Sequence, residues 1–502
     1  MNVVVAVGHD EAQITTNIAE LIELRAKRHP AAAALIALDR VWTHRELGVA
    51  VHAIARRLLD SGVQPAQRVG VSMMQTPLHL MTLLAIARIG AVSVPLHVAF
   101  PPTRRLALAR RYEVRAIVSG RSEFRLDGVP FIDLSSVDLG AAVAPLPAWR
   151  GKPDDPCRIV LSSGTTGESK AVMYSYRHML DRTRDTIQSF MVDSRSRFMP
   201  MDLNFAVGFV YAMGAMLEGG AVVLGRTGNA DEMFHQVRLH AVTHWMLSPS
   251  IAAQIARWLP DDDTHFPTLI QLRIVGAKPG RELLETLFAR FTPNVFEHYG
   301  LTEMGIAAVA TPELLRRVPD TAGRILPSFG VQVVDEDDRP VPAGQTGHLR
   351  LKTPWMLDGY YENPEKTAYH FRHGWYYPGD LAHIDTDGLL FLTGRADDVI
   401  NVAGAKFDPH EIQQGLQAHP MVREAAAFAL PQPDGNAALA AAVMVAGHVS
   451  VDELHAWARV QLGLQCPDRL FIVDDLPRTP TGKIQRERIP AMFASRPVVQ
   501  GS

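Results

Sequence analysis

From Ala19 to Val275 the chain alternates between helical and strand segments, and this alternation limits the fold more than any other feature of the sequence. Ala19–Arg28 and Thr43–Leu59 carry apolar residues at helical spacing. Arg68–Met73 reads as a short apolar strand, Leu78–Arg88 as a helix, Ala91–Pro95 as a strand, Arg104–Arg111 as a helix and Ala116–Ser119 as a strand. The pattern resumes with strands at Ala221–Leu224, His244–Met246 and Leu272–Val275, and with helices at Ala230–Leu239 and Ser250–Trp258. Strands that alternate with helices predict an α/β chain with largely parallel sheets, because parallel neighbours need a crossover that a helix supplies.

After about Pro327 the texture changes. Val331–Val334, Gly347–Lys352, Leu381–Ile384 and Leu389–Thr393 are short strands separated by turn signals, including Asp387-Gly388, which predicts a β-rich subdomain of hairpins. From Pro409 a helix (Glu411–Ala418), two strands (Val422–Ala429, Ala438–Val445) and a helix (Val451–Gln461) suggest a small α+β unit. Two Ala-rich patches, Ala31–Ala34 and Ala425–Ala427, read as helical or core filler.

A length of 502 residues suggests roughly three compact units at the usual domain size. Apolar residues at 47% and charged residues at 21% exclude a disordered tail protein. The 50 basic and 53 acidic side chains nearly balance, which argues against a dedicated nucleic-acid binder. Cys157 and Cys466 are too few for a disulfide framework, and no Cys/His spacing reads as a zinc site. Asp10 and Glu11 stand where a secretory signal would be basic, so no such signal is expected. The most apolar stretch, Leu78–Leu96, is interrupted by Arg88, Gly90 and Pro95, whereas a membrane span wants about 20 unbroken apolar residues. The expectation is a soluble, cytoplasmic chain with no membrane span and no nucleic-acid partner.

The strongest local signal is Leu161-Ser162-Ser163-Gly164-Thr165-Thr166-Gly167-Glu168-Ser169-Lys170, which follows the apolar strand Arg158–Leu161. Glycines allow close backbone approach, backbone N–H groups and hydroxyls can wrap a polyphosphate, and a lysine adds a point charge. A plain surface loop is the alternative, but such loops rarely place four hydroxyls and two glycines in six positions and then end on lysine. The spacing is not that of the common P-loop, G-x-x-x-x-G-K-[ST], and no G-x-G-x-x-G, G-x-S-x-G or H-E-x-x-H pattern occurs.

Five further motifs follow in order: Tyr299-Gly300-Leu301-Thr302-Glu303, Gly374-Trp375-Tyr376-Tyr377-Pro378-Gly379-Asp380, Gly394-Arg395-Ala396-Asp397-Asp398, Gly404-Ala405-Lys406-Phe407-Asp408-Pro409, and Pro477-Arg478-Thr479-Pro480-Thr481-Gly482-Lys483. With the phosphate loop, this series resembles the adenylate-forming enzymes: acyl-CoA synthetases, adenylation domains and beetle luciferases. The resemblance covers essentially the whole chain. It implies a large N-terminal AMP-binding domain, residues 1–394, of two α/β subdomains and a β-rich one. A small mobile α+β domain, residues 395–502, completes it.

Joining a carboxylate to AMP brings two anions together, so such a site must neutralise charge. The resemblance implies that Ser162, Ser163, Gly164, Thr165, Thr166, Gly167 and Lys170 hold the leaving phosphates of ATP. It implies that Thr302 serves the α-phosphate and Glu303 binds Mg²⁺, which spreads charge on pyrophosphate. Asp380 would accept the ribose hydroxyls and Arg395 would donate to ribose or phosphate. Gly276 and Ala277, in the turn Val275-Gly276-Ala277-Lys278-Pro279, would let a purine lie against the backbone, with Tyr299 over its other face and Gly300 in the same nucleotide site. Lys483 would swing in to bridge the carboxylate and the α-phosphate. Asp397 resembles a hinge about which the C-terminal domain turns, and Gly404, Ala405 and Lys406 would then line a thiol path.

Pro200–Phe209 lies where relatives begin the acyl pocket, with Phe205 where many carry histidine. Asn204, Phe205, Gly208, Phe209, Met246, Met304 and Gly305 would form an apolar slot, which favours an uncharged acyl body. Asp202 as an anchor for a substrate amine is the rival reading, and a buried helix with no ligand is the plain one. The chain departs from the family at Glu168-Ser169, where the loop usually carries x-P before its lysine, at Pro378, where a threonine is usual, and at Asn401, where many relatives carry lysine. The expected activity is an ATP-dependent acid–thiol ligase: a small carboxylic acid, aryl or medium acyl, becomes acyl-AMP and passes to coenzyme A. The alternatives are loading of a carrier-protein phosphopantetheine, with an acyl carrier protein as partner, amide formation, and a nucleotide-binding protein with degenerate chemistry.

Overall fold

Side-chain caps set where the first helices begin. Asn17 accepts from the Ala19 amide at the start of Ile18–Arg28, Thr43 forms a capping box with Glu46 at the start of His44–Asp60, and Thr76 precedes Pro77 at the head of Pro77–Arg88. The last of these helices is apolar nearly all round and buried from His79 to Arg88, as a core helix must be. The computed structural model describes residues 15–37, 40–162, 170–225, 230–259, 266–396, 400–402, 405–407, 409–431, 437–479, 482 and 484–493. The chain divides into two compact units, Met1–Val160 with Met173–Thr227 and Leu161–Val172 with Gly228–Ser502.

The first unit is built on a row of strands in the order Phe131–Asp133, Ala116–Ser119, Arg68–Val71, Val92–Pro95, Pro156–Ser162 and Lys170–Ser175, the first five in parallel. The loop ends of the last two, Leu161–Val172, group with the second unit. A further set of strands joins Arg197–Met199, Ala221–Leu224 and Ala33–Ala37 in parallel, with Arg40–Thr43 antiparallel at the end. Ala33–Ala37 corrects the helical half of the expectation for the Ala31–Ala34 patch, while the buried Ala34 fits the core-filler half. Alanine favours helix on its own, but pairing of Leu35 with Val222, far along the chain, overrides a weak local preference. Ala425–Ala427 lies in the expected strand, here Val422–Pro431, and is buried in the core, as its core-filler reading has it.

In the second unit the parallel strands His244–Leu247, Gln271–Val275 and Val295–Leu301 give way to antiparallel ones. The row continues through Gly305–Ala310, Gly323–Ile325, Leu389–Arg395, Asp380–Ile384 and Gly347–Lys352 to Trp375–Tyr376 and Phe371–Arg372. The change from parallel to antiparallel at Val295–Leu301 is the change of texture that the sequence shows nearer Pro327. The C-terminal part of this unit pairs Val422–Pro431 with Ala437–Val445 antiparallel, and the latter with Arg469–Ile472 in parallel. Ile412, Leu416 and Leu454 from its helices Pro409–Gln417 and Val451–Leu462 fill one core, while Phe428, Phe471 and Phe493 stack in another. The architecture is thus the expected α/β one with a C-terminal α+β part. The boundary expected at 394/395 falls at the end of Leu389–Arg395, inside the second unit. No helix among the described residues is long and apolar enough to cross a membrane.

One buried cation ties the helices of the first unit. Arg88 is 5% exposed, and its Nε donates to Glu23 Oε1 at 2.7 Å while Nη2 donates to the Pro147 carbonyl at 2.9 Å. Burial pulls the Glu23 carboxyl upward, but His52 and Arg88 outweigh it and leave it below its ordinary value. Removing Arg88 leaves the half-buried Glu23 charge with the His52 contact and without its cation, so Arg88→Ala is expected to destabilise the protein by about 3 kcal/mol. The measurement is the urea midpoint at neutral pH, which should fall clearly below that of the parent.

Candidate active site

The strand Val295–Leu301 and its antiparallel return Gly305–Ala310 carry the first group of expected residues on one turn. Gly300 is required there by packing, since a Cβ would fall 2.8 Å from the Gly305 carbonyl oxygen. Tyr299 points its hydroxyl at Asp380 and donates to Oδ2 at 2.5 Å. Asp380 opens the strand Asp380–Ile384 and is paired in register with Arg395, whose Nη1 donates to Oδ1 at 2.9 Å and whose Nη2 donates to the Pro378 carbonyl at 3.1 Å. Both oxygens of a carboxylate that is 9% exposed are therefore engaged, each keeping acceptor capacity for one more donor. Burial, and after it the Asp380 charge, drive the Tyr299 phenol well above its ordinary range, so the hydroxyl stays a donor. Asp380 also borders a cavity of about 250 Å³ with Gly379, Tyr377 and Ala396.

Glu303, 5% exposed, lies on the same turn. Tyr360 donates to its Oε1 at 2.8 Å and lies 3.1 Å from the Tyr376 hydroxyl. On another side of Tyr360, the Lys170 ammonium stands 5.2 Å from the ring centroid and 2.8 Å from His370 Nε2. The Tyr361 amide donates to the Ala171 carbonyl, which fixes this segment to the residue after Lys170. The structure thus brings together Tyr299, Gly300, Asp380 and Arg395 in one group, and Glu303 and Lys170 around Tyr360 in another. Thr302 follows in the same turn as Glu303.

Gly276, with φ +94, sits in the turn after Gln271–Val275, where only a residue without a side chain is at ease. Beside that turn, by the pairing of Val275 with His298, lies Glu297. Burial pushes its carboxyl up to about 8, against the pull of Lys278. Met246 and Met304 are fully buried in this unit, and the Met304 carbonyl accepts from Trp355 Nε1 at 3.1 Å. The residues Ser163, Gly164, Thr165, Thr166, Gly167, Asp397, Gly404 and Lys483, and the side chains of Ser162, Ala405 and Lys406, lie outside the described residues.

The remaining expected pocket residues belong to the first unit. Asp202 accepts from His97 Nε2 at 3.0 Å, and its Oδ1 accepts from the Asn204 amide and Nδ2, both at 2.8 Å. Burial works against this carboxylate, yet the His97 hydrogen bond and charge and the Asn204 amide bring it down to about 2. The rival reading of Asp202 as an amine anchor therefore meets a carboxylate already committed within its own unit. Asn204 spends its side-chain amide on the same group. A Cβ on Gly208 would fall 2.4 Å from the Asp202 carbonyl oxygen, so the fold itself requires that glycine. Phe209 is buried under the Arg158 guanidinium at 4.6 Å, and Phe205 lies 6.4 Å from the His97 ring.

Sequence reasoning missed Tyr360, His370, Tyr376, His97 and Arg158. The doublets Tyr360-Tyr361 and Tyr376-Tyr377 close to Gly379-Asp380 were the available signal for two of them.

Residues 22–361 match the family model described as AMP-binding enzyme, and residues 411–483 match the one described as AMP-binding enzyme C-terminal domain. The chain is 29% identical over 496 residues to phosphinothricin tripeptide synthetase PhsC of Streptomyces viridochromogenes, covering 94% of this chain but only 45% of that protein's length. It is 28% identical to a feruloyl-CoA synthase of an Amycolatopsis species, covering 93% of this chain and 97% of that one. Among solved structures, the amide bond synthetase McbA from Marinactinospora thermotolerans superposes with a TM-score of 0.83 at 25% identity, covering 95% of this chain and 99% of that one.

The Asp202 carboxylate gives a pH test. A carboxyl held near 2 when folded, against an ordinary 3.8, adds stability that is present above about pH 4 and is lost as pH falls toward 2. Asp202→Asn is expected to lower the unfolding midpoint at pH 6, and the gap to the parent is expected to shrink as pH falls from 4 to 2. Chemical denaturation followed at each pH checks this.

Proposed function

Because the chain belongs to the AMP-binding enzyme family, we propose that it is an ATP-dependent ligase that activates a small carboxylic acid as acyl-AMP with release of pyrophosphate. The observation that carries this reading is the buried Asp380 carboxylate, bracketed by Tyr299 and Arg395. Two oxygens with one lone pair each to spare suit the two hydroxyls of a ribose. Arg395, held by Asp380 and the Pro378 carbonyl, is read as the donor to the ribose or the α-phosphate.

The donor set also fits Mg²⁺. That cation takes one or two protein carboxylates, with phosphate oxygens and waters completing its shell. Glu303 offers one such carboxylate, and among the described residues there is no cluster of three or more His, Cys, Asp or Glu that would hold a metal by protein groups alone. When bound there, the ion would neutralise charge on the departing pyrophosphate. Tyr360 orients the Glu303 carboxylate through Oε1. Lys170 is read as presenting its ammonium to the phosphates, with the hydroxyl-bearing residues Ser162, Ser163, Thr165 and Thr166 as their further partners. Lys483 enters to bridge the carboxylate and the α-phosphate. The small domain from residue 395 then turns about Asp397 and withdraws it.

The acceptor is read as the thiol of coenzyme A and the acid as aryl or medium acyl. The feruloyl-CoA synthase, matched over nearly its whole length, supports both. The committed state of Asp202 favours an uncharged acyl body over an amino acid. The likeness to the amide bond synthetase McbA supports a second reading, in which the acyl group passes to an amine.

Lys483→Ala is expected to reduce acid-dependent ATP–pyrophosphate exchange by at least about 100-fold while leaving ATP affinity within a few-fold of the parent. Exchange that survives the substitution would remove Lys483 from the mechanism. Product analysis across aryl, fatty and amino acids, with coenzyme A or an amine, is expected to yield an acyl-CoA with one class of acid. Amide without acyl-CoA would move the reading to the second acceptor.

A further inference from the structure

The loop that leads into Lys170 departs from the family pattern in sequence. Ser169 stands where the family pattern has proline, and Glu168 adds a negative charge beside the phosphate-binding segment. A lysine side chain is long and freely rotating, so an ammonium that must meet a polyphosphate gains from being held in place beforehand.

The structure supplies a holder from 200 residues away. His370 ends the helix Pro364–His370 and is 3% exposed. Its Nδ1 lies 2.7 Å from the Tyr377 carbonyl, which can only accept, so Nδ1 carries the hydrogen. The ring is stacked on Tyr376 and meets Tyr360 and Tyr369 edge to face, which leaves it little freedom to turn. In the neutral ring Nε2 is then an acceptor, and it faces Lys170 Nζ at 2.8 Å. An ammonium has three donors and no acceptor, so the contact with His370 takes one donor of the three. The face of Tyr360 adds a second attraction for the cation at 5.2 Å, while the hydroxyl of the same residue is committed to Glu303.

We propose that His370 is a positioning residue for ATP: its imidazole anchors the Lys170 ammonium in the place of the missing loop proline, so that the lysine is held ready for the β- and γ-phosphates. The proposal rests on the reading of Lys170 as a phosphate ligand, and its test separates the two. ATP and AMP binding are measured by calorimetry, with magnesium, on the full-length parent and on His370→Ala, His370→Gln, Lys170→Ala and the double variant His370→Ala/Lys170→Ala. Loss of one hydrogen bond to a charged group predicts about a 10-fold weaker ATP affinity for His370→Ala. AMP, which lacks the outer phosphates, should bind as it does to the parent. His370→Gln, which restores an acceptor, should recover most of the loss, and His370→Ala should cost nothing further once Lys170 is gone.

If His370→Ala does not fold, His370→Leu keeps the bulk without the acceptor and carries the same test. ATP affinity within two-fold of the parent overturns the proposal, as does an AMP affinity that falls in step with that for ATP, or a further loss in the Lys170→Ala background. Failure of the parent itself to bind ATP or AMP overturns the function reading and this proposal with it. Parent-like ATP affinity in His370→Ala overturns this one alone.

Discussion

Two carboxylates taken out of water, Glu303 and Asp380, set the terms for the second unit. A buried carboxylate is costly unless it is hydrogen-bonded, and each is served by groups from distant parts of the chain. Asp380 takes Tyr299 on one oxygen and Arg395 on the other, while Glu303 takes Tyr360. These partners come from the hairpin 295–310, the strand 389–395 and the segment around 360, so the antiparallel part of the sheet holds the two carboxylates where they stand. The partners are chosen so that the charge stays available. Two of them are phenols, which donate a hydrogen bond without cancelling the charge, while Asp380 also has the Arg395 cation against it.

The first unit solves a related problem with a different purpose. Asp202, His97, Asn204 and the buried Arg158 close on one another, and Arg158 Nη2 donates to the Leu203 carbonyl at 2.5 Å. The strand Pro156–Ser162, which leads toward the phosphate loop, is thereby pinned to the turn that opens the helix Ala206–Leu217. Polar groups here fix the backbone of their own unit.

The fold was legible where short-range signals and long-range pairing agree. The strand at Ala116–Ser119 and the helix at Ala230–Leu239 have the expected ends. The helical reading of the patch at Ala31–Ala34 fails because its strand is set by pairing with residues near 222 on one side and with Arg40–Thr43 on the other. In the site, Tyr299, Glu303, Asp380 and Arg395 were readable because each sits in a compact motif whose neighbours repeat the same message. His370, Tyr360 and Arg158 were not, since their roles come from contacts that cross 45 to 200 residues. A histidine at the end of a short helix carries no local sign that a lysine 200 residues earlier will meet it.

The central claim is that the Asp380 carboxylate, bracketed by Tyr299 and Arg395, is the ribose end of a nucleotide site. A crystal structure of the protein with AMP tests it most directly. The account predicts both ribose hydroxyls within hydrogen-bond distance of Asp380, with Tyr299 and Arg395 still on the same carboxylate. A nucleotide bound elsewhere, or one whose ribose leaves Asp380 untouched, would contradict it.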